Sequence, residues 1–310
     1  MSSADEMDEI CASCGITGVD NVGLKKCTAC KLVNYCSVQC QRNHRPQHKR
    51  DCKKRVAELR DELLFKQPES THLGDCPICF IPLPLDAVST SKGACHPCCS
   101  KIICDGCAYA SRLQFAEQSL AEKCSFCRTP LPKDEAAADR MMKKRIAAND
   151  PFVICRVANR CFDEGNFSDA FRYAKQAAEG GDMEAHLQLG VMYMEGKGVE
   201  ADLKKAIYHL EEAAIGGHPT ARLNLGLNEG HWDRHERATK HFIIAANQGE
   251  NNALEKLKWG YKGGHVSKDD FAAALRAYQR AVDATKSPQR ETAGRNQDFL
   301  NTRATKVSRV

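Results

Sequence analysis

Eighteen of the 310 residues are cysteine, and sixteen of those fall between Cys11 and Cys127. Cys-x-x-Cys pairs stand at Cys11/Cys14, Cys27/Cys30, Cys76/Cys79, Cys104/Cys107 and Cys124/Cys127, with a wider pair at Cys36/Cys40 and a mixed one at His48/Cys52. Two sulfurs separated by two residues can turn toward one tetrahedral ion, and two such pairs complete a structural zinc site with no position open to water. The rival chemistry, disulfide bonding, needs an oxidising compartment. Nothing in the sequence calls for one: the opening residues Met1-Ser2-Ser3-Ala4-Asp5-Glu6 are polar and acidic, unlike a basic leader followed by an apolar stretch. The spacing therefore predicts metal, and by ligand counting about four zinc ions.

Eight of these ligands, Cys11, Cys14, Cys27, Cys30, Cys36, Cys40, His48 and Cys52, lie in the first module, residues 8–55, and close two four-coordinate sites with none left over. So short a segment buries too little apolar surface to fold unaided. Coordination must supply most of its folding free energy, on the order of 10 kcal/mol per site. Tyr35-Cys36, Cys40-Gln41, His48 and Cys52, with three, seven and three residues between successive ligands, resemble the MYND zinc finger. That resemblance implies interleaved ligation, with Cys11, Cys14, Cys36 and Cys40 on one zinc and Cys27, Cys30, His48 and Cys52 on the other. Arg45 stands where the family often carries tryptophan. His44 would be a ninth ligand and reads as a surface or packing residue. The basic run Lys49–Arg55 reads either as an import signal or nucleic-acid patch or, preferably, as a solvated helical face carrying the last ligand.

A charged, helix-favouring stretch over residues 56–71, broken at Gln67-Pro68, leads to a second cluster over residues 72–133. Here nine cysteines and one histidine compete for eight positions. The order Cys76/Cys79, Cys99, four residues, Cys104/Cys107, then Cys124/Cys127 resembles a RING domain with only cysteine ligands. Cys98 is taken as the partner of Cys99, with Cys95 and His96 as the alternatives. The resemblance implies cross-bracing, Cys76, Cys79, Cys104 and Cys107 on one zinc and Cys98, Cys99, Cys124 and Cys127 on the other, followed by a helix near Ala108–Leu120. It also implies a ubiquitin ligase without a nucleophile of its own, which holds a charged ubiquitin-conjugating enzyme in one orientation. Ile78, Arg128 and Pro130 match the family's contact positions, Arg128 as a cation bridging both partners. The alternative is that Ile78 and Pro130 only pack the zinc loops and Arg128 is a solvated charge.

After a linker over residues 134–149, alanine pairs eight apart recur at Ala170/Ala178, Ala206/Ala214, Ala238/Ala246 and Ala273/Ala281, spaced by 36, 32 and 35 residues. Each pair marks one face of a helix, and small residues let the two helices of a hairpin approach closely. Stacked hairpins then bury a core that no single repeat makes. Leu189-Gly190, Tyr193, Gly196–Val199, Asp202 and Lys205-Ala206 resemble the Sel-one-like repeats, relatives of tetratricopeptide repeats; later copies are degraded, the last by Lys258 at the glycine position. The expected third module spans residues 150–284. Cys155 and Cys161 read as packed thiols, and His209, His241 and Trp232 as core or rim residues. The tail 285–310, with six basic and two acidic residues from Lys286 onward, is expected to be disordered, as is 1–7.

The fold class expected is thus multidomain: two small zinc-stabilised cross-brace modules, MYND-like and RING-like, followed by an all-α helical-repeat solenoid. No run of about 18 apolar residues is present, so no membrane partner is expected and the protein reads as intracellular, in nucleus or cytosol. A net charge of +5 with 6% aromatic residues makes no demand for nucleic acid. The partners expected are proteins: a conjugating enzyme and a substrate or peptide ligand held by the repeats or the MYND finger. The competing reading is an adaptor that assembles complexes and transfers nothing.

Overall fold

The computed structural model describes residues 10–18, 23–87, 93–95 and 97–296, the side chains of 93–95 and 135 apart. The chain divides between Lys66 and Gln67 into two compact units.

In the first unit, β1 (Lys25–Lys26) pairs antiparallel with β2 (Asn34–Tyr35), and α1 (Val38–Leu64) follows. Ser37 is extended and its hydroxyl accepts from the Cys40 amide at 3.2 Å, so the helix is capped at the point where two ligands must be placed. The helix is continuous. It runs from the finger through residue 55 into the segment expected to be a helical linker, because nothing between Cys52 and Leu64 stops it, for about 40 Å. It has no apolar stripe, with only His48 and Leu64 buried. Ion pairs of Arg55 with Glu58 (3.2 Å) and Glu62 (2.8 Å) lace its second half.

The second unit opens with an irregular segment, then β3 (Gly93–Cys95) paired antiparallel with β4 (Ile102–Cys104), and α2 (Asp105–Glu117). The linker expected over 134–149 contains a helix, α3 (Glu135–Ala147), because Asp134 caps it by accepting from the Ala137 amide at 2.7 Å and Ala138 is buried. Eight helices follow as four hairpins: α4 (Pro151–Asp163) with α5 (Phe167–Glu179), α6 (Met183–Glu195) with α7 (Leu203–Ile215), α8 (Pro219–His231) with α9 (His235–Asn247), and α10 (Asn251–Lys262) with α11 (Lys268–Ala284). The alanine pairs on α5, α7 and α9 are buried, four of the six at 0% exposure. Gly190 and Gly226 let the hairpins close: a Cβ would stand 2.8 Å from Leu210 and 2.5 Å from Phe242. In α11 the alanine face is shifted by one from the expectation, since Ala274 rather than Ala273 is buried and joins the cluster of Leu257 and Val266. Lys258, where earlier copies have glycine, is exposed.

The tail also departs from the expectation of disorder. Pro288–Arg295 form α12, capped by Ser287, whose Oγ accepts from the Arg290 amide at 3.2 Å. Arg290 and Ala293 are buried, and the helix lies against α2: a Cβ on Gly106 would meet the Arg290 backbone nitrogen at 2.9 Å. Buried contact, not apolar periodicity, orders this segment; residues 297–310 lie outside the described ones. No described helix is long and apolar enough to cross a membrane.

Candidate metal centres

Four of the five Cys-x-x-Cys pairs share one backbone solution. The residue after the second cysteine takes a positive φ, +75° at Gly15, +57° at Lys31, +56° at Phe80 and +62° at Arg128. Its amide donates to the first cysteine's carbonyl at 2.9, 2.9, 2.9 and 3.0 Å respectively. The first cysteine's own amide donates onward, to the carbonyls of Ile16, Val33, Ile81 and Thr129. Three of these positive-φ residues are not glycine, a conformation that costs about 1–2 kcal/mol each. Paying that cost repeatedly at the same step is what fixes two sulfurs on one side of a turn.

Of the remaining ligands, Cys98 and Cys99 stand on the turn between β3 and β4 and the others come from helices or the residues just before them. Cys36 and Cys40 flank the start of α1, and His48 and Cys52, one turn apart, share a face further along it. Cys104 and Cys107 sit at the N-terminus of α2, where the Cys107 amide donates to the Cys104 sulfur at 3.5 Å. These pieces assemble into four groups whose ligand atoms all lie within 4.8 Å of one another: Cys11, Cys14, Cys36 and Cys40; Cys27, Cys30, His48 and Cys52; Cys76, Cys79, Cys104 and Cys107; and Cys98, Cys99, Cys124 and Cys127. Each joins sequence-distant pairs, so both modules are interleaved. The structure brings Cys98 to the fourth group; the side chain of Cys95 and all of His96 lie outside the described residues.

The donor sets and spacings fit zinc. A tetrahedral ion with bonds of about 2.3 Å separates its sulfurs by about 3.8 Å, whereas a disulfide needs about 2.05 Å. The sulfur pairs stand at 3.5 Å (Cys14/Cys36), 3.5 Å (Cys36/Cys40), 3.8 Å (Cys79/Cys104), 3.8 Å (Cys99/Cys124) and 3.3 Å (Cys98/Cys127), and Cys30 Sγ is 3.1 Å from His48 Nε2. All described cysteines are free. Electrostatics point the same way. Hydrogen bonding from Cys104 lowers the Cys76 thiol to about 4, while that same contact, joined by burial, pushes Cys104 up. Burial and then the sulfur of Cys127 push Cys98 up as well. Crowded sulfurs cannot all ionise together unless a cation sits between them.

The supporting residues were less legible. His44 is not a ligand: its Nδ1 lies 3.0 Å from Tyr35 Oη, and its ring stacks on His48 at 5.6 Å. Burial, and then the neighbouring Cys27 and Cys30, push the Tyr35 phenol up to about 12, so it stays neutral beside His44. In the second module Arg290 serves one centre from the far end of the chain. Its Nη1 donates to the carbonyls of Pro82 and Thr285 at 2.6 Å each, and its Nη2 to that of Ile81 at 2.9 Å and to Cys79 Sγ at 3.7 Å. Ser100 donates to Asp150, the cap of α4, at 2.8 Å and accepts from Arg145 of α3 at 3.1 Å. Ile78, Arg128 and Pro130 are all exposed, as are Phe80 and Phe126.

A fifth group, His72, Glu184 and His218, joins the segment before Cys76 to the repeats. The two rings stack at 3.8 Å, nearly parallel, with His218 Nε2 at 2.9 Å from Glu184 Oε2. Parallel rings do not aim their nitrogens at one point, so this is a packed seam. The His72 amide donates to the carbonyl of Gly217, which has a φ of +84° and no room for a Cβ, 2.7 Å from the Ser70 carbonyl. Elsewhere in the repeats, Cys155 is a buried thiol of the first hairpin's core and Cys161 is partly exposed. His241 is fully buried, His209 stacks on Tyr193 at 5.7 Å, and Trp232 lies at the rim under Arg234.

Comparison with known proteins agrees with two of the three modules. The MYND finger family model matches residues 11–52, and the Sel1 repeat model matches residues 155–182, 184–218 and 219–250. The chain carries a MYND finger and Sel1 repeats; the second cysteine module lies outside both matches. Over 202 residues, 52% of the chain, it is 25% identical to DAP3-binding cell death enhancer 1 of Mus musculus, of which it spans 39%. Among solved structures it is similar to a Sel1 repeat protein from Oxalobacter formigenes (27% identity, TM-score 0.42, 50% of this chain and 67% of that one). It is also similar to c5321, a protective antigen of uropathogenic Escherichia coli strains displaying an SLR fold (25% identity, TM-score 0.40, 55% of this chain and 37% of that one).

Proposed function

We propose that this protein-interaction scaffold, a zinc-binding MYND finger joined to Sel1 repeats, is also a ubiquitin ligase whose second cysteine module works as a RING. The sixteen ligands named above would hold four zinc ions, and those ions supply structure only. The observation that carries the reading is the second module itself: two interleaved sulfur tetrads leave Ile78, Arg128 and Pro130 exposed on the loops that the tetrads stiffen. Ile78 sits inside one knuckle, and Arg128 sits at the positive-φ step of another. A clamp needs that rigidity, because its contribution to rate is orientation of a bound thioester and not proton transfer. Arg128 presents a planar fork suited to bridging carbonyls of two partners. The repeats and the MYND finger would then present the substrate.

The test is discharge of ubiquitin from a panel of charged conjugating enzymes by zinc-loaded full-length protein. Wild type is expected to accelerate discharge with at least one of them, and Ile78→Ala and Arg128→Ala to abolish the effect while zinc content stays the same. If folded, zinc-loaded wild type accelerates none, the protein is an adaptor only, a function its MYND finger and repeats already support.

A further inference from the structure

We infer that His186 and His209, which face each other across the hairpin of α6 and α7, form an open binding site for a divalent transition-metal ion, separate from the four cysteine tetrads. Their Nδ1 atoms lie 3.1 Å apart. An ion held by imidazoles at about 2.05 Å separates two nitrogens by about 3.3 Å in tetrahedral geometry and by about 2.9 Å at adjacent square-planar or octahedral positions. The observed gap falls between these values, so a small shift of either ring completes the geometry.

The rings meet nitrogen to nitrogen, which sets them apart from two other histidine pairs of the repeats. His72 and His218 stack at 3.8 Å with 11° between planes, and His235 and His265 at 4.3 Å with 25°, so neither pair aims its nitrogens at one point. His186 and His209 have centroids 5.2 Å apart and planes inclined by 45°. Their approach is through the ring edges that carry lone pairs. His209 is also held in place: it stacks on Tyr193 at 5.7 Å with 7° between planes, and Tyr208 meets it edge-on at 5.2 Å. Tyr193 in turn stands edge-on to Phe171 at 5.5 Å. A ligand already held by its neighbours loses little freedom when the ion arrives.

Protonation favours the ion as well. Burial lowers His186 and takes His209 down to about 4, with the neighbouring His186 adding to the second shift and Glu212 opposing both. At neutral pH the pair is therefore uncharged. Without metal, one Nδ1 donates to the other across the gap. With metal, that proton is exchanged to Nε2 of its own ring as the tautomer changes, so two lone pairs face the ion and the proton count is unchanged. Glu212, three residues along α7 from His209, acts on both rings with a charge that favours a cation between them. Two neutral imidazoles select a borderline ion such as Ni²⁺, Co²⁺, Cu²⁺ or Zn²⁺ over Mg²⁺ or Ca²⁺, and leave the other coordination positions to water. Both histidines are partly exposed, which gives the ion a way in.

The probe is Ni²⁺ alone, titrated calorimetrically into tag-free, zinc-loaded full-length protein while a chromogenic indicator follows released zinc. Ni²⁺ is expected to bind with no zinc released. His186→Gln and His209→Gln should each weaken binding more than about tenfold, and His231→Gln, exposed at the end of α8, should leave it unchanged. Footprinting of the wild type with diethyl pyrocarbonate, read by mass spectrometry, should show Ni²⁺ protecting His186 and His209 and not His231, a result that needs no variant to fold. The site is overturned by an absence of Ni²⁺ binding, by binding that appears only as zinc leaves, by binding that both glutamine variants retain, or by protection that falls on other histidines. The pair would then be an N–H···N hydrogen bond and nothing more.

Discussion

The two cysteine modules solve the same coordination problem with different amounts of help. In the N-terminal finger the buried cluster consists of Cys11, Cys27, Cys30 and Tyr35, so its core is almost entirely metal ligand. In the second module Leu83, Ala87 and Ile103 are buried among the ligands, and residues at both ends and in the middle of the helical region tie it down: Ser100 to Arg145 and Asp150, His72 to Gly217, Arg290 to Ile81 and Pro82. Identical ligand chemistry therefore does not mean identical dependence on the ion. Where packing is scarce the metal is the fold; where it is shared, the metal fastens a structure that other contacts also hold.

The largest effect should appear where the contrast is sharpest. Cys30→Ser removes one ligand from a four-ligand site with no apolar core to fall back on. The loss, up to about 10 kcal/mol for a structural zinc, exceeds what a segment this small can retain. Limited proteolysis should find residues 10–52 cleaved in the variant while the second unit stays intact. Titration of wild type with a zinc chelator should likewise expose the finger first. Simultaneous loss of protection in both modules would erase the distinction.

How much of this was legible beforehand follows from which forces are periodic. A tetrahedral ion demands ligands at short fixed spacings, so the ligand pairs between Cys11 and Cys127 showed in the sequence, while their sorting into tetrads was implied only by resemblance to the two finger families and left Cys95, His96 and Cys98 as alternatives. Hairpin packing demands small residues at helical spacing, so the alanine pairs of α5, α7 and α9 showed their buried face. Neither rule applies to α12. Its sequence Pro288-Gln289-Arg290-Glu291-Thr292-Ala293 has no apolar stripe, and it is held by one guanidinium finding carbonyls more than 200 residues away. The same is true of the Tyr35–His44 contact and the His72–His218 stack, each made by side chains that only the folded chain brings together. The one-residue slip in α11, Ala274 for Ala273, shows where the ruler fails: at the last hairpin, where Lys258 replaces the glycine that sets the approach in earlier copies.

Arg290→Ala sharpens the comparison from the other side. It leaves the carbonyls of Ile81 and Pro82 without a buried donor and removes a hydrogen bond to a ligand sulfur, a cost of about 3 kcal/mol. Zinc should leave the second module several-fold faster in a chelator assay, with release from the finger unchanged. Arg290→Lys should fail to restore it, because one ammonium cannot reproduce the guanidinium's fork. Unchanged release from both modules would mean that α12 only covers α2.

The smallest effect is a slope and not a loss. Burial lowers the His72 imidazole to about 3; the neighbouring His218 adds to that, and Glu184 opposes it without winning. The folded state thus binds the proton more weakly than the unfolded chain, whose histidines titrate near 6.5. The contribution of His72 to stability is flat above pH 6.5. It falls as the pH drops from there toward 3, because the unfolded state takes up the proton first, by at most about 1.4 kcal/mol per pH unit for one group. His209, lowered to about 4 by burial and then by His186, adds a parallel slope, so the seam must be isolated by difference. His72→Phe keeps a ring stacked on His218 and removes the titration. Denaturant unfolding of the second unit between pH 7 and 5 should then show a shallower decline than wild type, while the finger, whose fate is governed by metal release, loses its protection identically in both proteins. A decline that is the same with and without His72 would place the acid sensitivity of the second unit in its zinc ligands instead of its seam.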